Sequence, residues 1–179
     1  PPPQNEKSVF APVSPYGVSK LAAEHLCMLY WKNFSVPTVS LRYFTVYGPG
    51  QRPDMGFNKF IKAAEKGEEI IIYGDGNQTR DFTFVSDIVD ANMLAMESDV
   101  KGEVFNIGGG MRISVLDVIS ILQQIVGKQI KITNIAFQKG DVTDTFSDTS
   151  KAVSILGYSP KKRLQDGLQE EYEWLFGKR

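Results

Sequence analysis

Tyr16 and Lys20, within Ser14-Pro15-Tyr16-Gly17-Val18-Ser19-Lys20, are the residues whose types and spacing point most directly to chemistry. Four apart on a helix, a phenol and an ammonium share one face. A phenol has a reference pKa of about 10 and is a poor base at neutral pH. A fixed cation beside it favours the phenolate, which can take a proton from a hydroxyl while a hydride leaves the same carbon. The same spacing also arises by chance on the exposed face of an amphipathic helix, so the flanking sequence has to decide. A redox site built on this pair needs a nucleotide-binding half upstream. Only the stretch from Pro1 to Pro15 precedes Tyr16, so the chain reads as part of an enzyme.

Arg80 is the second candidate. A guanidinium makes bidentate, permanently charged contacts suited to a diphosphate, although it can equally pair on the surface with neighbouring Asp81. Asp81 itself reads as structural, orienting Arg80 or the turn. His25 is the single histidine and Cys27 the single cysteine. Neither has the neighbours of a metal site or an activated thiol, and no metal is expected.

These side chains need elements to hold them. Residues 1–13, rich in proline and polar groups, read as an extended arm. Ser14 is a fair N-cap and Pro15 suits the first helical position. Val18, Leu21, Ala22, Leu26 and Leu29 then mark an apolar face to about Trp31. Strands are expected over 37–43, 69–73, 82–85, 104–107 and 130–135, and helices over 56–66, from Ser86 or Asp87 to 97, from Ser114 to 126, and over 149–156 and 164–176. Residues 46–55 read as a loop dense in glycine and proline, 74–77 as a turn and 108–110 as a loop. Strands alternate with helices, which makes the class α/β.

Composition sets the outer limits. The 179 residues suffice for one domain with a small subdomain. With 20 basic and 21 acidic residues the net charge is −1, and there is no long basic run, which argues against nucleic acid as a partner. No segment approaches the roughly 20 apolar residues of a membrane span, so no membrane partner is expected. One cysteine excludes an internal disulfide and fits a reduced, cytoplasmic setting.

The flanking sequence resolves the ambiguity at Tyr16. Ser14 through Lys20, followed by Leu21-Ala22-Ala23-Glu24, resembles the active-site helix of the NAD-dependent nucleotide-sugar epimerase/dehydratase family, a branch of the extended short-chain dehydrogenases/reductases. Further blocks match in order: Leu41-Arg42-Tyr43-Phe44 with Val46-Tyr47-Gly48-Pro49; Ile72-Tyr73-Gly74-Asp75-Gly76 with Thr79-Arg80-Asp81-Phe82; Val104-Phe105-Asn106-Ile107-Gly108; and Gly140-Asp141-Val142 with Asp148, Lys151 and Leu156-Gly157-Tyr158. The resemblance implies the C-terminal part of a Rossmann-like fold plus a small α/β substrate-binding domain. Residues 14–54 would be a remnant of the Rossmann domain. Residues 55–179 would be mainly the sugar-nucleotide-binding domain, with 82–107 contributing to the Rossmann sheet.

It also implies NAD as cofactor, with Tyr16 as base, Lys20 on the nicotinamide ribose and Phe44 beside the nicotinamide, where Phe44 could otherwise be plain core. The implied partner is a UDP-sugar or other NDP-sugar. Arg80 would bind its diphosphate. Thr45 stands where the family often has Asn, and it keeps one hydrogen-bonding group of the amide's two. Tyr73 would stack on a uracil or serve as core. Arg52 and Asn58 would reach the substrate from their loop. Gln138 stands where relatives often carry Arg, and Asp141 would bind a ribose or hold a loop.

Two family features are missing. The catalytic Ser or Thr would fall before Pro1. The Gly-rich phosphate loop has no substitute in Gly108-Gly109-Gly110, because the third glycine of that motif would fall at Ile113. The function implied is a nucleotide-sugar 4-epimerase, with a 4,6-dehydratase or UDP-glucuronate decarboxylase as enzymatic alternatives and a non-catalytic sugar-nucleotide-binding piece as the other. The chain alone is expected to be inactive and to bind NAD negligibly. The Tyr16 helix and the strand after it are expected to expose apolar surface and an unpaired edge, giving self-association, a swap or a disordered Tyr16 segment. A parent homodimer is implied.

Overall fold

Ser14 opens the first helix as its sequence requires: its hydroxyl accepts from Gly17 N–H at 3.1 Å, with Pro15 in the first turn. The structure is a computed structural model and describes residues 2–137 and 143–177. Helix α1 (Pro15–Phe34) runs past Trp31 and stops where Ser35 takes a left-handed conformation, φ 56°. That ending carries no glycine signal, which is why the sequence places it too early.

The remaining order is β1 (Val39–Tyr43), β2 (Val46–Tyr47), α2 (Gly56–Lys66), β3 (Ile70–Tyr73), β4 (Thr79–Asp81), β5 (Thr83–Phe84), α3 (Val85–Glu97), β6 (Glu103–Ile107), β7 (Arg112–Ser114), α4 (Val115–Val126), β8 (Ile132–Ile135), α5 (Ser150–Leu156) and α6 (Leu164–Phe176). β1 pairs with β6, β2 with β5 and β3 with β8, all parallel, while β4 and β7 pair antiparallel. The α/β class holds.

Three readings are corrected. Residues 46–55 contain strand β2. The β4–β7 ladder was not expected, because three-residue polar strands carry no periodicity and are held extended by their partner. Helix α3 begins at Val85 with Phe84 at its N-cap and no side-chain cap. Asp87 is not that cap, since its carboxylate is buried and accepts from the N–H groups of Lys161 and Lys162 at 3.1 and 3.3 Å.

Two apolar clusters form the core. The first joins α2, β3, α4 and α6 through Phe57, Ile61, Ile72, Leu122, Leu168 and their neighbours, and includes Tyr47, Phe82 and Phe84. The second packs Ile88, Ala91, Phe105, Ile107, Ala152, Leu156 and Tyr158 against the β1–β6 ladder. Helix α5 thus packs with the second cluster, although it lies in the stretch read as mainly sugar-nucleotide-binding.

Helix α1 has no buried residue. Tyr16, Val18, Leu26, Leu29, Tyr30 and Phe34 are all exposed. The helix is fastened by Arg42 on β1, which forms a two-pronged pair with Glu24 at 2.7 and 2.6 Å, by the Thr38 hydroxyl, which donates to Cys27 O at 3.0 Å, and by Trp31 packed on Gly102. Arg42 also donates to Glu6 O at 3.2 Å and lies over the Phe10 ring at 4.3 Å. The opening arm is docked too. Gln4 bridges to the 146–148 backbone, and the Glu6 carboxylate accepts from Asn106 N–H at 2.8 Å. That arm covers the outer edge of β6. Among the described residues β1 pairs with β6 alone.

Asp81 is wholly buried. It accepts from Gly109 N–H at 2.9 Å, from Ser147 N–H at 3.0 Å and from the Ser147 hydroxyl. Its removal strands buried donors. Asp81→Ala is expected to cost about 3 kcal/mol of unfolding free energy, read by urea denaturation.

Candidate active site

A concavity follows from the ends of short strands and the start of α2. The buried face of α2 uses Phe57, Ile61 and Ala64, spaced four and three apart. That leaves Gly56, Lys59 and Phe60 together on a neighbouring face. They form one wall of a cleft of about 410 Å³. Strand β3 supplies Ile71 and Tyr73, β4 supplies Arg80, and Thr45 enters from the junction of β1 and β2. The volume lies within the usual range of small-molecule sites.

Of the residues singled out in the sequence, Thr45, Tyr73 and Arg80 come together here. Thr45 is half-buried, and its carbonyl accepts from Thr83 N–H at 2.9 Å. Tyr73 is 41% exposed, leaving its ring accessible. Arg80 is half-buried and donates through Nη1 to Thr79 O at 2.9 Å.

Others are placed elsewhere. Arg52 is exposed and paired with Asp54 at 3.0 Å, and it is not part of the cleft wall. Asn58 is buried rather than lining the cleft. Its side-chain amide donates to Gln51 O at 2.9 Å and its Oδ1 has no partner. Gln138 and Asp141 lie outside the described residues.

Tyr16 and Lys20 share the face that their spacing requires, with Lys20 Nζ 5.5 Å from the Tyr16 ring centroid. Tyr16 is 72% exposed. Neither lines the cleft, and neither does Phe44, which extends β1 by donating to Ile107 O at 3.0 Å. The sequence missed Gln51, Lys59 and Gln78, all in the cleft wall. Lys59 adds a second cation to the Arg80 wall. Its signal was the three-residue step from Gly56 on a helix whose apolar face is otherwise complete. Gln78 donates to Tyr73 O at 2.7 Å, and its Oε1 is buried without a partner. No cluster able to hold a metal exists among the described residues, and no helix there is long and apolar enough to cross a membrane.

The triple glycine can now be judged as a phosphate cradle. A Cβ at Gly109 would lie 1.9 Å from Phe82 O, and one at Gly108 would meet Ser147 and Asp81. The Gly109 N–H is already taken by Asp81. Gly109 thus permits close packing on the Phe82–Thr83 backbone and Gly108 on the Asp81–Ser147 contact. For a dinucleotide cofactor, the Gly109 N–H is therefore not available to a phosphate, while the Tyr16 phenol stands exposed on α1.

A sequence model of the NAD dependent epimerase/dehydratase family matches residues 1–108. A Bacillus subtilis protein named as an uncharacterized UDP-glucose epimerase, YtcB, is 42% identical over 96% of this chain and 54% of its own length. A UDP-glucuronate 4-epimerase of Thermodesulfobacterium geofontis is 38% identical over 97% of this chain and 54% of its own length. The crystal structure of UDP-glucuronic acid 4-epimerase from Bacillus cereus, in complex with UDP-glucuronic acid and NAD, superposes with a TM-score of 0.91 at 47% identity, covering 95% of this chain and 55% of that one. The chain thus spans about half the length of the curated relatives it matches.

Because Tyr16 is exposed and packs on no core residue, Tyr16→Phe is expected to change the unfolding free energy by less than about 0.5 kcal/mol, measured by denaturant titration. A larger loss would mean that the phenol has a structural partner.

Proposed function

The chain belongs to the NAD dependent epimerase/dehydratase family, and from that premise we propose that it carries the substrate cleft and proton-transfer pair of a UDP-sugar 4-epimerase acting on UDP-glucose or UDP-glucuronate. The observation that carries this reading is the convergence of Thr45, Tyr73 and Arg80 on one cleft. Arg80, joined by Lys59, supplies the positive charge that a diphosphate requires. Tyr73 offers a ring face to the uracil. Thr45 offers its hydroxyl to the phosphate or sugar.

Tyr16 takes the proton of the C4 hydroxyl and later returns it. Lys20 would stabilise negative charge on the phenol oxygen and would hold the ribose of the cofactor. Phe44 would lie on the nicotinamide side. NAD, when bound, supplies the acceptor and donor of the C4 hydride. The two apolar clusters support reading the β1–β6 ladder as the edge of the dinucleotide-binding sheet, with α2, β3, α4 and α6 as the sugar-nucleotide domain.

Titration calorimetry with UDP-glucose and UDP-glucuronate tests the cleft. Binding is expected, and Arg80→Ala is expected to weaken it by about 10- to 100-fold, the loss of one charged contact. Failure of the unmodified chain to bind either nucleotide overturns the reading. In a polypeptide that carries this chain together with a dinucleotide-binding half, Tyr16→Phe is expected to lower kcat by about 10²- to 10⁴-fold with KM little changed. Products that retain every carbon and differ at C4 support the epimerase. Release of carbon dioxide from a UDP-hexuronate would assign a decarboxylase instead.

A further inference from the structure

Glu171 stands apart from the other carboxylates. It lies on α6, is fully buried, and its Oε2 accepts from Gly48 N–H at 2.9 Å. Its Oε1 is buried with no hydrogen-bond partner. Burying a carboxyl with so little support is costly. An apolar side chain would pack α6 at no such cost. What only the carboxyl does is hold the Gly48 amide.

Among the described residues that amide has no other acceptor. Strand β2 ends at Tyr47, and Gly48 turns away with φ 128°, a region open to glycine and strained for other residues. A Cβ there would lie 2.8 and 2.9 Å from Phe84 and Val85. From Gly48 a continuous chain of hydrogen bonds leads to the cleft. Gln51 N–H donates to Gly48 O at 3.0 Å, and Gln51 Nε2 donates to Val46 O at 3.1 Å. Gln51 Oε1 accepts from Asn58 N–H at 3.0 Å, and Gln51 O accepts from the Asn58 amide at 2.9 Å. Gln51 itself, with Met55, Gly56, Lys59 and Phe60, lines the cleft.

We propose that Glu171 is a positioning residue: its carboxyl pins the Gly48 turn and thereby sets the Gln51 and α2 wall of the cleft. The consequence for binding rests on the UDP-sugar reading of that cleft. Charged and titratable groups on the surrounding elements include Tyr47 on β2, Asp87 on α3, Lys162 ahead of α6, Asp166 and Glu170 on α6, Glu65 on α2 and Asp117 at the start of α4, with Asp166 paired to Arg163 at 2.8 Å. Among the described residues none forms an ion pair with Glu171. Lys162 is held by Glu170 at 2.7 Å, Asp87 by backbone amides, and Asp117 by the Ser114 cap. Glu65 accepts from Tyr172. Burial pushes the Tyr47 phenol well above its usual range, with Asp87 and Glu171 adding to it.

Burial likewise raises the Glu171 carboxyl to about 7 from 4.5, opposed by the Gly48 hydrogen bond. The sign follows from linkage: a raised acid binds its proton more tightly in the folded state. Its contribution to stability is full below about 4.5 and is lost as pH rises through about 7.

The test compares the chain with Glu171→Gln, which keeps an acceptor for Gly48, and Glu171→Leu, which fills the space without one. Glu171→Leu is expected to remain folded and to bind UDP-glucose about tenfold more weakly, while Glu171→Gln stays within about threefold of the unmodified chain. In amide NMR spectra without ligand, the Gly48 resonance of the unmodified chain is expected to titrate near pH 7 and that of Glu171→Gln to stay flat. Glu171→Leu is expected to displace the Gly48 and Gln51 resonances. Unchanged UDP-glucose affinity in Glu171→Leu overturns the proposal. If the unmodified chain fails to bind UDP-glucose, the sugar-nucleotide reading fails, and the amide spectra decide the positioning role alone. Unmoved Gly48 and Gln51 resonances in Glu171→Leu then overturn it.

Discussion

The buried carboxylate of Asp81 accepts from Gly109 and from both the backbone and the hydroxyl of Ser147. This junction fixes how the cleft sits on the β1–β6 ladder. Its chain neighbours explain why. Arg80, one residue before, lines the cleft, and Phe82, one residue after, belongs to the first apolar cluster. Gly109 follows β6 and Ser147 precedes α5, both elements of the second cluster. Backbone donors in a dry interior must find acceptors. A single carboxylate with three donors meets that demand for two loops at once, so the clusters cannot slide past each other without stranding them. The glycines at 108 and 109 follow from the same junction, since side chains there would collide with Asp81, Ser147 and Phe82 O.

Glu171 is the contrasting case. Both carboxylates are fully buried, but Asp81 has three donors and Glu171 has one. A well-supplied carboxylate locks a junction. A poorly supplied one holds its single partner, and burial raises its titration to about 7. The structure thus places its firmest polar contact between the clusters and its most conditional one behind the cleft wall. Helix α1 is held by a third device. It buries no residue and is tied to β1 and to the arm through Arg42, Glu24, Glu6 and Phe10. A half-buried, two-pronged guanidinium pair gives direction as well as energy. It therefore orients the Tyr16 face while leaving the apolar side of the helix uncovered.

The elements were legible wherever one residue type carries a local mechanism. Ser14 with Pro15 starts α1, Ser114 with Asp117 starts α4, and Gly67 ends α2. Where the signal was tertiary it was invisible. Ser35 ends α1 without a glycine, and β4 and β7 are extended because each pairs with the other. Asp87 looked like a helix cap because aspartate caps helices, but a distant segment, residues 161–162, supplies its donors.

The site divides along the same line. The sequence alone determined the Tyr16–Lys20 pair, because residues four apart on a helix share a face whatever surrounds them. It also singled out Arg80 and Tyr73, whose side chains are suited to a diphosphate and a base wherever they sit. Only the tertiary structure decided which of these meet. Thr45, Tyr73 and Arg80 converge on one cleft with Lys59, whereas Arg52 turns to Asp54 and Asn58 is drawn inside to hold Gln51. The reason is physical. Local spacing fixes which way a side chain faces on its own element. The burial of two clusters, and the need to satisfy every buried donor, fix where that element goes.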